Sequence, residues 1–90
     1  MTFENLVSII ADTNMGEEWD LKSSTYTFGF RCLRLFDDKI IAFGGYGTHI
    51  STWNVEHSSP EDIANGIVEH IKQYDSDVNE YVTLEECEMV

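Results

Sequence analysis

Between Thr25 and Glu56 the chain alternates apolar and polar residues in runs separated by very short connections, and this spacing restricts it to neighbouring antiparallel strands. Tyr26, Phe28, Phe30 and Cys32 alternate with Thr25, Thr27, Gly29 and Arg31, the period of two that sends successive side chains to opposite faces of a sheet. After Cys32 the phase slips, because Leu33 and Leu35 take the apolar role; a β-bulge near Cys32 is the expected cause. Asp37 and Asp38 make a turn, Lys39 to Phe43 returns as a second strand, and Gly44, Gly45 and Gly47 lead into a third from about Thr48 to Glu56. Parallel neighbours need crossovers of a dozen residues or more, so these connections predict an antiparallel meander.

Helical signals flank the strands. Thr2 is placed to cap a first helix with Phe3, Leu6, Val7 and Ile10 on one apolar face, ending near Thr13 to Gly16, where Asn14 and Gly16 supply turn chemistry. The stretch EEWD that follows, with Trp19 and Leu21 two residues apart, reads as a short strand lead-in or as a loop pinned by its Trp. Ser59 is the expected N-cap of a second helix, with Pro60 at its first position and Glu61 and Asp62 facing the positive end of its dipole. Ile63, Ile67, Ile71 and Tyr74 form its stripe, and Gly66 interrupts it where a strand must approach closely. With 90 residues and 42% hydrophobic content, the chain supports one core. The expected fold class is therefore α+β: a single domain, 1–90, ordered α-β-β-β-α, with a three-stranded antiparallel sheet packed by helices and an acidic C-terminal segment.

Seventeen acids against five bases give a net charge of −12. Residues 1–20 carry five acids and no base, residues 21–55 sum to +2, and residues 56–90 hold ten acids against Lys72 alone. Direct binding to nucleic acid or anionic membrane needs clustered Lys and Arg, so neither is expected; a basic protein partner is. No basic leader with an apolar core opens the chain, and no apolar run approaches the ~18 residues of a membrane span, so a cytoplasmic location is expected.

Little suggests catalysis, and the chain is not expected to be an enzyme. Cys32 and Cys87 are far apart without a CxxC and read as ordinary thiols. GGYGTH lacks the Lys-Ser/Thr of a phosphate loop and reads as turn chemistry. His49, His57 and His70 have no ligand spacing, and Arg31 and Arg34 read as partners for nearby carboxylates. Trp53 suits core packing, whereas Trp19 among acids has the setting of an interface anchor.

One stretch, YDSDVNEYVTLEE, resembles an EF-hand calcium loop. Asp75, Asp77 and Asn79 stand at positions 1, 3 and 5, the Tyr81 carbonyl at 7, Thr83 at 9 and Glu86 at 12, the oxygen spacing that calcium requires. It departs from the family in placing Glu80 at position 6, where a Gly makes the sharp turn, and in leaving only Cys87 to Val90 for an exiting helix. This resemblance implies Asp75, Asp77, Asn79, Tyr81 and Glu86 as ligands and calcium as the only cofactor. The last residues of the stretch, YVTLEE, alternate well enough to form a fourth strand instead.

Two further resemblances concern the whole chain. The order α-β-β-β-α is similar to double-stranded-RNA-binding domains, but the helix that should supply phosphate contacts offers Lys72 between Glu69 and Asp75. In size, charge and lack of catalytic machinery the chain resembles, in gross character, small acidic phage-encoded inhibitors of the anti-CRISPR or DNA-mimic type. That resemblance implies a protein that occupies the basic nucleic-acid site of a nuclease or another nucleic-acid-binding protein. The face expected to do so combines Glu17, Glu18 and Asp20 with Asp75, Asp77, Glu80, Glu85, Glu86 and Glu88. A calcium-binding module and a toxin-neutralising immunity protein are the alternatives.

Overall fold

The computed structural model describes residues 1–23, 29–35, 38–44, 49–73 and 83–89. Helix α1 (Phe3–Asp12) begins where Thr2 caps it, its hydroxyl accepting from the Asn5 N–H at 3.2 Å, and buries Leu6 and Ile10. Gly16, at φ 85°, turns the chain into strand β1 (Glu18–Ser23). Strands β2 (Gly29–Arg34), β3 (Lys39–Gly44) and β4 (His49–Asn54) follow. Asp38 adopts φ 60° in the turn between β2 and β3, a left-handed conformation that Asp tolerates better than most residues. Helix α2 (Pro60–Gln73) starts on a reciprocal cap in which Ser59 Oγ accepts from the Asp62 N–H at 3.1 Å and Asp62 accepts from the Ser59 N–H at 3.4 Å. A 3-10 turn (Leu84–Glu86) leads into strand β5 (Cys87–Met89).

Among the described residues the sheet therefore has five antiparallel strands, in the order β4-β3-β2-β1-β5, and not three. Both additions hide in the sequence for physical reasons. In β1 only Trp19 and Leu21 are apolar, and Glu, Asp and Lys fill the alternate positions, so its strand propensity is low. In β5 three residues pair with Leu21, Lys22 and Ser23 after α2 has carried the chain back across the sheet, a partnership that no local pattern announces. The bulge also moves. The register of β2 runs unbroken on both sides, and the irregularity falls between β3 and β4, where Ala42 faces Ser51 but Phe43 faces His49. The phase slip after Cys32 instead reflects which face is covered: Cys32 points into the core, while Leu33 lies on the opposite face, half-buried.

Both helices lie on one face of the sheet. Leu6 and Ile10 of α1 and Ile63, Ala64, Ile67 and Ile71 of α2 form a single buried cluster with Trp19, Leu21, Cys32, Ile40, Ala42 and Cys87. The fold is thus two layers, helices over sheet, and among the described residues no element packs on the sheet's other face. Tyr74, the last member of the expected α2 stripe, lies outside the described residues.

Gly66 sits where the second layer comes closest to β4. A Cβ built there would stand 2.9 Å from Cζ2 of Trp53, nearer than packed carbons approach. Gly66→Ala should gain about 1 kcal/mol of helix propensity but lose roughly 1–3 kcal/mol to overpacking, for a net loss on the order of 1 kcal/mol. In a Trp53→Leu background the sign should reverse, which urea denaturation of the four proteins would show. Stabilisation in both backgrounds would sink this explanation.

Candidate partner-binding edge

The free border of β1 and the short β5 beside it meet α1 along a trough. Two adjoining hollows make it up. One, of about 370 Å³, runs between Ser8, Ile9, Asp12 and Thr13 of the first helix and its end and Glu17, Glu18, Trp19 and Met89. The other, of about 480 Å³, continues past Asn5 to Cys87 and Glu88. β5 pairs only with Leu21, Lys22 and Ser23, leaving the first half of β1 without a strand partner on this side among the described residues. Met89 is 50% exposed at the trough, and Asp12, Glu17, Glu18 and Glu88 stand around it.

Of the acids expected to form a partner face, Glu17, Glu18 and Glu88 are brought to this edge. Asp12, which the sequence reading did not select, joins them because α1 ends against the start of β1. Glu17 is steadied by the Asn14 amide, which donates to its Oε1 at 2.6 Å. Asp20 points to the open sheet face and accepts from Arg31 Nε at 2.9 Å; this hydrogen bond and the carboxylate's charge raise the Arg31 pKa. Asp20 is therefore partly neutralised by its own sheet. Arg34 pairs with Asp38 at 3.1 Å, so both arginines do meet nearby carboxylates. Glu85 lies on a separate apolar hollow of about 470 Å³ with Met1, Phe3, Val68, Ile71 and Lys72. Asp75, Asp77 and Glu80 lie outside the described residues.

The calcium-loop positions divide in the same way. Asp75, Asp77, Asn79 and Tyr81 lie outside the described residues. Glu86, the twelfth position, is turned to other work: its Oε2 accepts from the Thr83 N–H at 2.7 Å and from the Thr83 hydroxyl at 3.2 Å, tying off the start of the 3-10 turn. Among the described residues no three His, Cys, Asp or Glu side chains converge as a metal site would require.

Trp19 is not an interface anchor. It is 7% exposed and belongs to the core, and among the described residues its Nε1 has no hydrogen-bond partner, an arrangement that costs about 1–3 kcal/mol when the group is cut off from water. Burial pushes the Cys32 thiol far above its ordinary range and raises that of Cys87 as well, so both sulfurs are held protonated. Burial lowers the pKa of His70. The ring of His49 meets Thr52 Oγ1 at 2.9 Å and stands edge-on to Phe43.

No family model, curated protein sequence or solved structure matches this chain. Its chemistry must be read from its own surface. Among the described residues no helix is long and apolar enough to cross a membrane. The fold separates charge by layer: α1, α2 and the segments that join or follow them expose Glu4, Asp12, Glu17, Glu61, Asp62, Glu69, Glu85 and Glu86, with Lys72 as the one exposed Lys or Arg among their described residues.

Proposed function

We propose that this chain binds a nucleic-acid-processing protein and inhibits it by occupying the basic site meant for DNA or RNA. The observation that carries this reading is the layer-wise separation of charge. In a molecule of −12, the helical layer and the trough beside it present carboxylates almost unrelieved by bases. Nucleic-acid sites are built from Lys and Arg that neutralise phosphates spaced ~3.4 Å along each strand. A rigid surface whose helices carry carboxylates about two turns apart, Glu4 and Asp12 on α1 and Asp62 and Glu69 on α2, offers such a site negative charge without the cost of ordering a flexible polyanion. Association driven this way is fast and weakened by salt.

Capture from a lysate at low salt should recover a DNA- or RNA-binding protein whose own nucleic acid competes it off. Joint replacement of Asp12 by Asn and of Glu17, Glu18 and Glu88 by Gln should weaken capture at least tenfold, about 1.4 kcal/mol. Asp20 is left intact in this variant because it holds Arg31. Recovery that is unchanged at ~0.5 M salt, where the screening length is only a few ångströms, would refute the proposal, as would retention of full affinity by the fourfold variant.

A further inference from the structure

The face of the sheet turned away from the helices carries an apolar centre. Alternation places Leu33 and Leu35 of β2 and its exit beside Ile41 and Phe43 of β3, all half-buried, and none of them belongs to the helix-side core. Polar, uncharged Thr52 and Asn54 border this centre on β4, while β1 and β5 border it with charged groups. An apolar middle inside a polar rim is the anatomy of a protein interface.

The charges on this face single out its occupant. Its described acids are Glu18, Asp20 and Glu88, and its described bases are Lys22, Arg31 and Lys39. Three against three leaves the described residues of this face neutral in a chain of −12. Much of the balance is local: Arg31 bonds Asp20 at 2.9 Å, and Lys22 lies in register with Glu88. Two copies that approach through any helical surface set carboxylates against carboxylates. Approach through the open sheet face avoids this and sends the acidic layers to opposite outer sides. Four six-residue strands ~4.8 Å apart at ~3.4 Å per residue, with the three-residue β5 beside them, give roughly 20 × 20 Å of plane; with side-chain relief this nears the ~600 Å² per partner of the smaller specific interfaces.

We propose that two copies pack these faces together about a two-fold axis, forming a sandwich of two sheets with the acidic helices outside. Glu18 and Glu88 stand at the border between this face and the trough; the inference does not depend on what the helical layer itself binds. It has an uncommon salt signature: the contact is apolar and neutral while the long-range force between copies is repulsive, so added salt strengthens the dimer. Contact between the acidic layer of one copy and bases of another would weaken in salt and propagate beyond two.

Sedimentation equilibrium of the full chain over ~1–500 μM at ~0.05 and ~0.5 M salt tests this, the two salts spanning screening lengths from above to below ~10 Å. The expected result is a monomer–dimer equilibrium, tighter at high salt. Phe43→Asp should abolish the dimer, and the gentler Ile41→Thr, which keeps a strand-forming residue, should weaken it at least tenfold. Far-UV circular dichroism checks that each variant folds; if Phe43→Asp does not, Ile41→Thr decides. Glu69→Gln on the outer layer should leave the dimer intact. A monomer throughout, meaning that the face is open or reserved for a different protein, would overturn the proposal. So would growth beyond two copies, weakening by salt, or a dimer indifferent to both sheet variants.

Discussion

Ile67→Ala should lower the free energy of unfolding by about 2–5 kcal/mol. Ile67 is fully buried and faces the sheet from the middle of α2, within the cluster that joins Leu6, Leu21 and Ile40. Truncation removes three carbons from a site walled by two helices and a sheet, which cannot all move inward at once, so lost transfer energy and residual cavity add. In a domain of this size, whose total stability is about 5–15 kcal/mol, each lost kilocalorie lowers the midpoint by about 4–8 °C, so a fall of about eight degrees or more is expected. Thermal and urea unfolding followed by circular dichroism measure it. Val68→Ala, one residue along on a half-buried flank, should cost far less. Equal effects at both positions would mean that α2 does not present the face described.

Removal of Cys87 to Val90 is the second large effect expected, on the order of 3–5 kcal/mol. It strips β5 from β1 and so exposes one side of Leu21, whose full burial is worth about 1.5–3 kcal/mol. It also removes the buried Cys87 and the strand-pair hydrogen bonds, each worth roughly 0.5–1.5 kcal/mol net, together with the Cys87 carbonyl that accepts from the Met1 amino group at 3.2 Å. The shortened chain would present the whole of β1 as an open edge, a hazard for strand-to-strand aggregation. Loss of charge alone should do little: Glu88→Gln, at the exposed centre of the same strand, should stay within about 0.5 kcal/mol. If the truncated chain unfolds at the same urea concentration as the full one, β5 is not part of the cooperative unit.

Several parts of this architecture were legible from local sequence. Thr2 and Ser59 announced both helix starts because an oxygen side chain before an apolar-periodic run has few other uses. Ile63, Ile67 and Ile71 fell on the buried face because a period near 3.6 survives any tertiary context. Gly66 within an otherwise helical stripe reads as a point of close approach, and Trp53 is the group that comes close. The acidic site was legible in composition but not in membership. Asp20 stands two residues after Glu18 and therefore shares its strand face, yet only the pairing of β1 with β2 sets it against Arg31. Asp12 could have been recognised from one signal, its position on the last turn of a helix followed closely by Glu17 and Glu18, but that required knowing that the chain doubles back there.

The sequence by itself determined the α+β class, the helix caps, the meander from β2 to β4 and the excess of negative charge, since each depends on residues near one another in the chain. The tertiary structure alone decided that, among the described residues, the sheet has five strands, Trp19 is core, and the charge divides between an acidic helical layer and a neutral sheet face. Each of those outcomes depends on pairing between residues far apart in sequence: β5 meets β1 across more than sixty residues. Such a partnership is stabilised by burial that exists only once both strands and both helices are in place.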